Sequence, residues 1–94
     1  MLTHEELKAR ALAKPEVADA YHALEEEYAL LDELLAARAR AGLTQADVAE
    51  RMHTKAPAVA RIESPSLKHS PSLSTLRKYA RAVGCKLEIK LISQ

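Results

Sequence analysis

The sequence predicts a mainly α-helical fold: a compact helical bundle with an N-terminal helical extension and one short C-terminal β-strand. Three observations carry that reading. Leu43 to Glu63, LTQADVAERMHTKAPAVARIE, reads as two short helices joined by a tight turn. Upstream, Val17, Tyr21, Leu24, Tyr28, Leu31 and Leu35 recur at alternating steps of four and three, the seam of a long amphipathic helix. Downstream, Lys86-Leu87-Glu88-Ile89-Lys90-Leu91 alternates charged and apolar residues, the period of a half-buried strand.

Each element has its own local signal. Thr3-His4-Glu5-Glu6 has the form of a capping box and opens a helix expected to run to about Ala13. Pro15 suits the first turn of a second helix rather than the interior of the first. That second helix is expected to carry the seam as far as Ala41. Gly42 is its left-handed terminator, and Arg38 and Arg40 lie near the negative end of its dipole.

Thr44 caps the next helix, whose Val48, Ala49 and Met52 share one apolar face. The fourth opens near Thr54 or Lys55, accepts Pro57 in its first turn and buries Val59 and Ile62. A loop over Ser64–Pro71 follows. Ser72 then caps a helix over Leu73–Val83 with the stripe Leu73, Leu76, Tyr79, Ala80 and Val83, and Gly84 ends it.

Composition bounds the rest. A chain of 94 residues with neither Phe nor Trp must build its core from Leu, Ala, Val, Ile and three tyrosines. No apolar run is long enough to span a membrane and no signal pattern opens the chain, which predicts a cytoplasmic protein without membrane association. The lone Cys85 is expected to be a small buried thiol. His4, His22, His53 and His69 show neither metal nor catalytic spacing, so no metal, cofactor or enzymatic activity is expected.

Charge is divided unevenly along the chain. Residues 1–37 hold three Lys/Arg against nine Asp/Glu, a net of −6, whereas residues 38–94 hold eleven against four, a net of +7, and the two sum to the overall +1. A basic half that carries the paired helices points to a phosphate backbone. The acidic half either solvates a helix face or meets a different partner.

These residues resemble the lambda-repressor-like, or Xre-type, helix-turn-helix DNA-binding family. The resemblance rests on Leu43-Thr44-Gln45, Val48-Ala49, Arg61-Ile62-Glu63 and Pro71-Ser72-Leu73-Ser74-Thr75-Leu76, and covers roughly Leu31 to the C-terminus. Two departures stand out. His53 occupies the turn position where the family usually has glycine, and Ser64-Pro65 replaces the glycine expected after Glu63, so the second helix should end differently. The chain end resembles the LEIxL ending of HigA-type antitoxins, and the acidic extension fits that subgroup. Two domains are therefore expected, an acidic extension over residues 1–30 and a DNA-binding domain over 31–94.

The resemblance implies a recognition helix in the major groove, braced by the helix before it. Thr44 is then a phosphate donor, and Gln45 contacts a phosphate or an adenine edge. Lys55 contacts a guanine or a phosphate. Ala56, Pro57 and Ala58 suit thymine methyls and close approach, while Arg61 reaches a base or a phosphate and Lys68 in the loop reaches the backbone. Glu63 is expected to be structural, paired with Arg51 or Arg61.

A single strand cannot satisfy its own backbone groups. Leu87, Ile89 and Leu91 are accordingly expected to turn one apolar face inward while the strand edge pairs with a second copy or with another protein. The tyrosine seam either folds onto the core or meets another chain. Together these readings imply a homodimer on a palindromic duplex operator, an antitoxin that represses its own operon and neutralises a HigB-type ribonuclease toxin. The alternative is a free-standing Xre-type repressor with no toxin, its extension serving folding or dimerisation. No residue is assigned to toxin binding.

Overall fold

In a computed structural model, residues 3–65 and 70–94 are described. Among them are five helices: α1 (His4–Leu12), α2 (Pro15–Ala41), α3 (Gln45–Arg51), α4 (Ala56–Ile62) and α5 (Leu73–Ala82). The chain divides into two compact units, Met1–Leu30 and Leu31–Gln94.

The first unit contains α1 and the opening half of α2. Thr3 caps α1 through a complete capping box: its hydroxyl accepts from the Glu6 amide at 3.1 Å and the Glu6 carboxylate accepts from the Thr3 amide at 3.4 Å. Pro15 is the first residue of α2. Lys8 lies 3.8 Å from the Glu25 carboxylate and 5.1 Å from the centre of the Tyr21 ring, tying α1 to α2. No described side chain of this unit is fully buried, and Leu7, Val17 and Tyr28 are exposed.

In the second unit the core is assembled from Leu31, Leu34 and Ala37 of α2, Val48 and Ala49 of α3, Val59 of α4 and Leu76, Tyr79, Ala80 and Ala82 of α5. Val48, Val59 and Tyr79 are wholly inaccessible. Burying a valine side chain fully stabilises the fold by about 1.5–3 kcal/mol, so these three anchor α3, α4 and α5 to each other. Arg51 adds a polar tie, its Nη1 donating to the Ala82 carbonyl at 2.8 Å.

Three helices stop by one device. Gly42, His53 and Gly84 have φ of 70°, 57° and 75°. In each case the residue that follows donates its amide to the carbonyl five residues back: Leu43 to Arg38 at 3.2 Å, Thr54 to Ala49 at 2.8 Å and Cys85 to Ala80 at 2.7 Å. This is the Schellman arrangement, and His53 fills a position that glycine fills in the other two. The end of α4 is different, as the missing glycine predicts. There the Ser64 hydroxyl donates to the Ala60 carbonyl at 2.7 Å.

Several expectations are corrected. The strand over Lys86–Leu91 is not formed: residues 85–94 have no regular structure, and among the described residues there is no other strand. A ladder needs a second strand, and the described residues supply none. Nor does the segment turn an apolar face inward, since Leu87 is only half-buried while Ile89 and Leu91 are 57% and 100% exposed. The seam of α2 leaves Leu35 exposed and buries Leu34 instead, because the core meets the last turns of the helix on the face of Leu31, Leu34 and Ala37. Leu73, at the first turn of α5, is exposed, and Cys85 is exposed beyond the helix end. Of the loop expected over Ser64–Pro71, residues 66–69 lie outside those described.

Candidate nucleic-acid interface

Helices α3 and α4 with the turn between them form the helix-turn-helix. Thr44 caps α3 by a reciprocal box, its hydroxyl accepting from the Asp47 amide at 3.1 Å while Asp47 accepts from the Thr44 amide at 2.9 Å. Hydrogen bonds from the Thr44 amide and then from its side chain hold the Asp47 carboxyl below its ordinary range. Thr44 itself is exposed.

Lys55 is the cap residue of α4, exposed and making no side-chain cap bond. Behind it Pro57 is exposed and Ala56 and Ala58 are half-buried, so the first turn presents a low surface that another molecule can approach closely. Arg61, a turn further on, is exposed and in no ion pair with a described residue. Lys68 lies outside the described residues.

Gln45, expected to contact a phosphate or an adenine edge, also has a partner inside the chain. It is half-buried, and its Nε2 donates to Glu63 Oε1 at 2.9 Å. Glu63 is the buried hub of this domain, but neither Arg51 nor Arg61 is its partner. Arg38 Nε donates to its Oε2 at 2.8 Å, and the Tyr79 hydroxyl donates to the same oxygen at 2.5 Å. The correction has a geometric cause. Arg51 is spent on the Ala82 carbonyl, whereas Arg38 reaches Glu63 while its Nη1 also donates to the Leu43 carbonyl at 3.1 Å.

Burial alone would raise the Glu63 carboxyl. Hydrogen bonds from Tyr79, Gln45 and Arg38, with the Arg38 charge, outweigh it and hold the group below the ordinary carboxylate range. The same contacts act on the partners in the opposite sense: burial and then Glu63 push the Tyr79 hydroxyl up, and the bond to Glu63 raises Arg38. Arg38 and Tyr79 carry no sequence signal for this role, since they lie 25 and 16 residues from Glu63 and belong to no local pattern. The effect is to fix α2, α3, α4 and α5 around one carboxylate, which holds the start of α3 and the end of α4 in a set relation.

The arrangement sets exposed cations and small apolar residues on two braced helices, residue types able to approach a phosphate backbone and base edges. Among the described residues, no group of three or more His, Cys, Asp or Glu side chains can hold a metal ion, and no helix is long and apolar enough to cross a membrane.

Comparison with known proteins agrees with this geometry. A helix-turn-helix family model matches residues 34–90. Over 68 residues the chain is 43% identical to proteins named Antitoxin HigA1 from two strains of Mycobacterium tuberculosis. That match takes in 71% of this chain and 44% of the relative, so the chain spans less than half the length of the curated relatives it matches. No solved structure gives a significant match.

Proposed function

The chain belongs to the helix-turn-helix family, and on that premise we propose that it is a sequence-specific DNA-binding antitoxin that represses its own operon and neutralises a HigB-type ribonuclease toxin. The observation that carries the DNA half is the exposed side of α4, where Lys55 at its cap and Arg61 in its last turn flank the small residues Ala56, Pro57 and Ala58. In the major groove that side brings the small residues against thymine methyls and the cations against guanine edges or phosphates, with Thr44 and Gln45 of α3 on the backbone.

Few hydrogen-bonding side chains lie on this face, so phosphate contacts supply most of the affinity and a palindrome read by two copies supplies much of the specificity. The second copy is proposed to join at the C-terminal segment, where Ile89, Leu91 and Ile92 are exposed apolar residues. Pairing between subunits would provide the strand partner that one chain lacks.

Support for the toxin half comes from the HigA1 relatives and from the N-terminal unit. Residues 1–30 carry seven Asp/Glu against three Lys/Arg, and they expose Leu7, Val17 and Tyr28. An acidic surface with open apolar side chains suits a basic protein, whose encounter the charge would accelerate.

A gel shift with the duplex upstream of the chain's own gene, read with and without the protein encoded next to it, tests both halves. Wild-type protein should retard the duplex, and the neighbouring product should co-purify and lose its RNA-cleaving activity. A duplex that is bound equally well by Lys55→Ala/Arg61→Ala removes the reading face. Binding of DNA without any interacting neighbour leaves the free-standing repressor.

A further inference from the structure

Beside the recognition helix lies a groove, open to solvent, between α4 with its preceding turn and the start of α5. Its polar lining is His53, Thr54, Arg61, Ser70, Ser72, Thr75 and Lys78, and no described residue that lines it is acidic. Neither Arg61 nor Lys78 forms an ion pair with a described residue. Two unneutralised cations in one concavity repel each other, and an anion placed between them removes that repulsion.

The hydroxyls add direction. Ser72 accepts from the Thr75 amide at 3.1 Å, and the Ser72 and Thr75 hydroxyl oxygens are 3.0 Å apart. One hydroxyl proton is used between the two, so the other is left to donate outward. Ala58 of the proposed reading face also lines the groove, which places it against the flank of any DNA read by α4.

We propose that this groove seats a backbone phosphodiester of the bound duplex between Arg61 and Lys78, making Lys78 of α5 a DNA-contact residue. The inference rests on the DNA-binding reading above. The ligand chemistry is a phosphate oxyanion, and the same lining would also accept a free phosphate-bearing ligand. Seated on DNA, the phosphate is sequence-independent: it fixes how far α4 enters the groove and leaves base choice to the residues on α4.

The test uses the full chain as wild type, Lys78→Ala and, as a control of equal charge change, Arg77→Ala, which is exposed on the same helix and does not line the groove. Affinity for the operator duplex and for a random 40-base-pair duplex (~40, a practical probe length that exceeds one helical turn several times) is measured across a salt series. Lys78→Ala is expected to weaken both duplexes by the same factor and to reduce the slope of log affinity against log salt by about 0.9, the value for one lost phosphate contact.

Arg77→Ala should leave more of that slope intact. An unchanged slope in Lys78→Ala, or an equal change in both variants, overturns the proposal while the DNA-binding reading stands. Failure of wild type to bind either duplex overturns the DNA-binding reading itself. In a parallel arm, amide shifts are followed while inorganic phosphate is added at constant ionic strength. Saturable binding of phosphate, with DNA affinity unaffected by Lys78→Ala, assigns the groove to a free ligand instead; absence of saturation together with the slope change supports the backbone seat.

Discussion

Arg38 on α2 donates its Nε to the Glu63 carboxylate at the end of α4, at 2.8 Å, with the Glu63 side chain 3% exposed and that of Arg38 23% exposed. A buried carboxylate in this position is compensated only while its donors stay in place, because a charge taken out of water costs several kcal/mol. Removing the acid leaves the Gln45 amide and the Arg38 Nε each short of an acceptor and leaves the Tyr79 hydroxyl only the Leu34 carbonyl, at 3.1 Å. Glu63→Ala is therefore expected to cost about 3 kcal/mol or more, and Arg38→Met to cost a comparable amount. A double-mutant cycle by urea denaturation checks it: the two losses should be strongly non-additive, and additive losses would show that the pair does not act as a unit.

The same carboxylate sets an acid limit. Its folded pKa lies below the unfolded value, so its contribution to stability is fully present above the ordinary carboxylate range and is lost as pH falls through the depressed folded value. Asp47 acts in the same direction. Denaturation midpoints followed from neutral pH downward should fall more steeply for wild type than for Glu63→Gln, with the difference confined to the acid side. Parallel curves would mean that the Glu63 carboxyl titrates alike in the folded and unfolded chain, without the stabilising contacts.

His53 can be read as a helix stop with the wrong side chain. At φ 57° a residue with a Cβ is strained by about 1–2 kcal/mol relative to glycine, whereas glycine increases the entropy of the unfolded chain by about 0.4–1 kcal/mol. The net effect of His53→Gly should be neutral to stabilising by about 1 kcal/mol. His53→Val should be the least stable of the three, since a β-branched residue tolerates the left-handed region worst. Thermal midpoints that rank valine above glycine would contradict the Schellman role.

How much was legible follows from the range of each signal. Thr3, Thr44 and Ser72 are readable as caps, and Gly42 and Gly84 as stops, because their hydrogen bonds close within a few residues of the same helix. Burial depends on what arrives from elsewhere. The α2 seam assigns Leu35 to the buried face, and packing in residues 31–94 buries Leu34 instead. The alternation at Leu87, Ile89 and Leu91 shows strand propensity, but propensity cannot provide a pairing edge, and among the described residues the segment has none. Of the DNA-contact candidates, Lys55 and Arg61 are exposed by simple helical spacing, while the tie from Gln45 to Glu63 crosses 18 residues and leaves no local trace.

That tie separates Gln45 from its neighbours experimentally. Lys55→Ala and Arg61→Ala remove exposed side chains and should weaken operator binding with stability unchanged within about 0.5 kcal/mol. Gln45→Ala also strips a donor from a buried carboxylate, which should cost about 1–3 kcal/mol of stability in addition to any loss of binding. Gel shifts at fixed salt paired with urea denaturation of each variant check the distinction. A Gln45→Ala protein as stable as wild type would show that water replaces the amide at Glu63.

The final prediction concerns the C-terminal segment. Ile89, Leu91 and Ile92 are 57%, 100% and 84% exposed, and Lys90 is paired with its near neighbour Glu88, at 3.3 Å. An extended run with open backbone groups and exposed branched side chains is the kind of edge that adds to a second strand. If two copies pair here, truncation after Lys86 should convert a dimer to a monomer, leave the helical circular dichroism intact, and weaken binding to a two-half-site operator far more than binding to a single half-site. Sedimentation equilibrium on both forms measures the first effect, and gel shifts on the two duplexes measure the second. A truncated protein that remains dimeric would move the subunit contact to another surface. The exposed apolar residues of the first unit, Leu7, Val17 and Tyr28, would be the next to substitute.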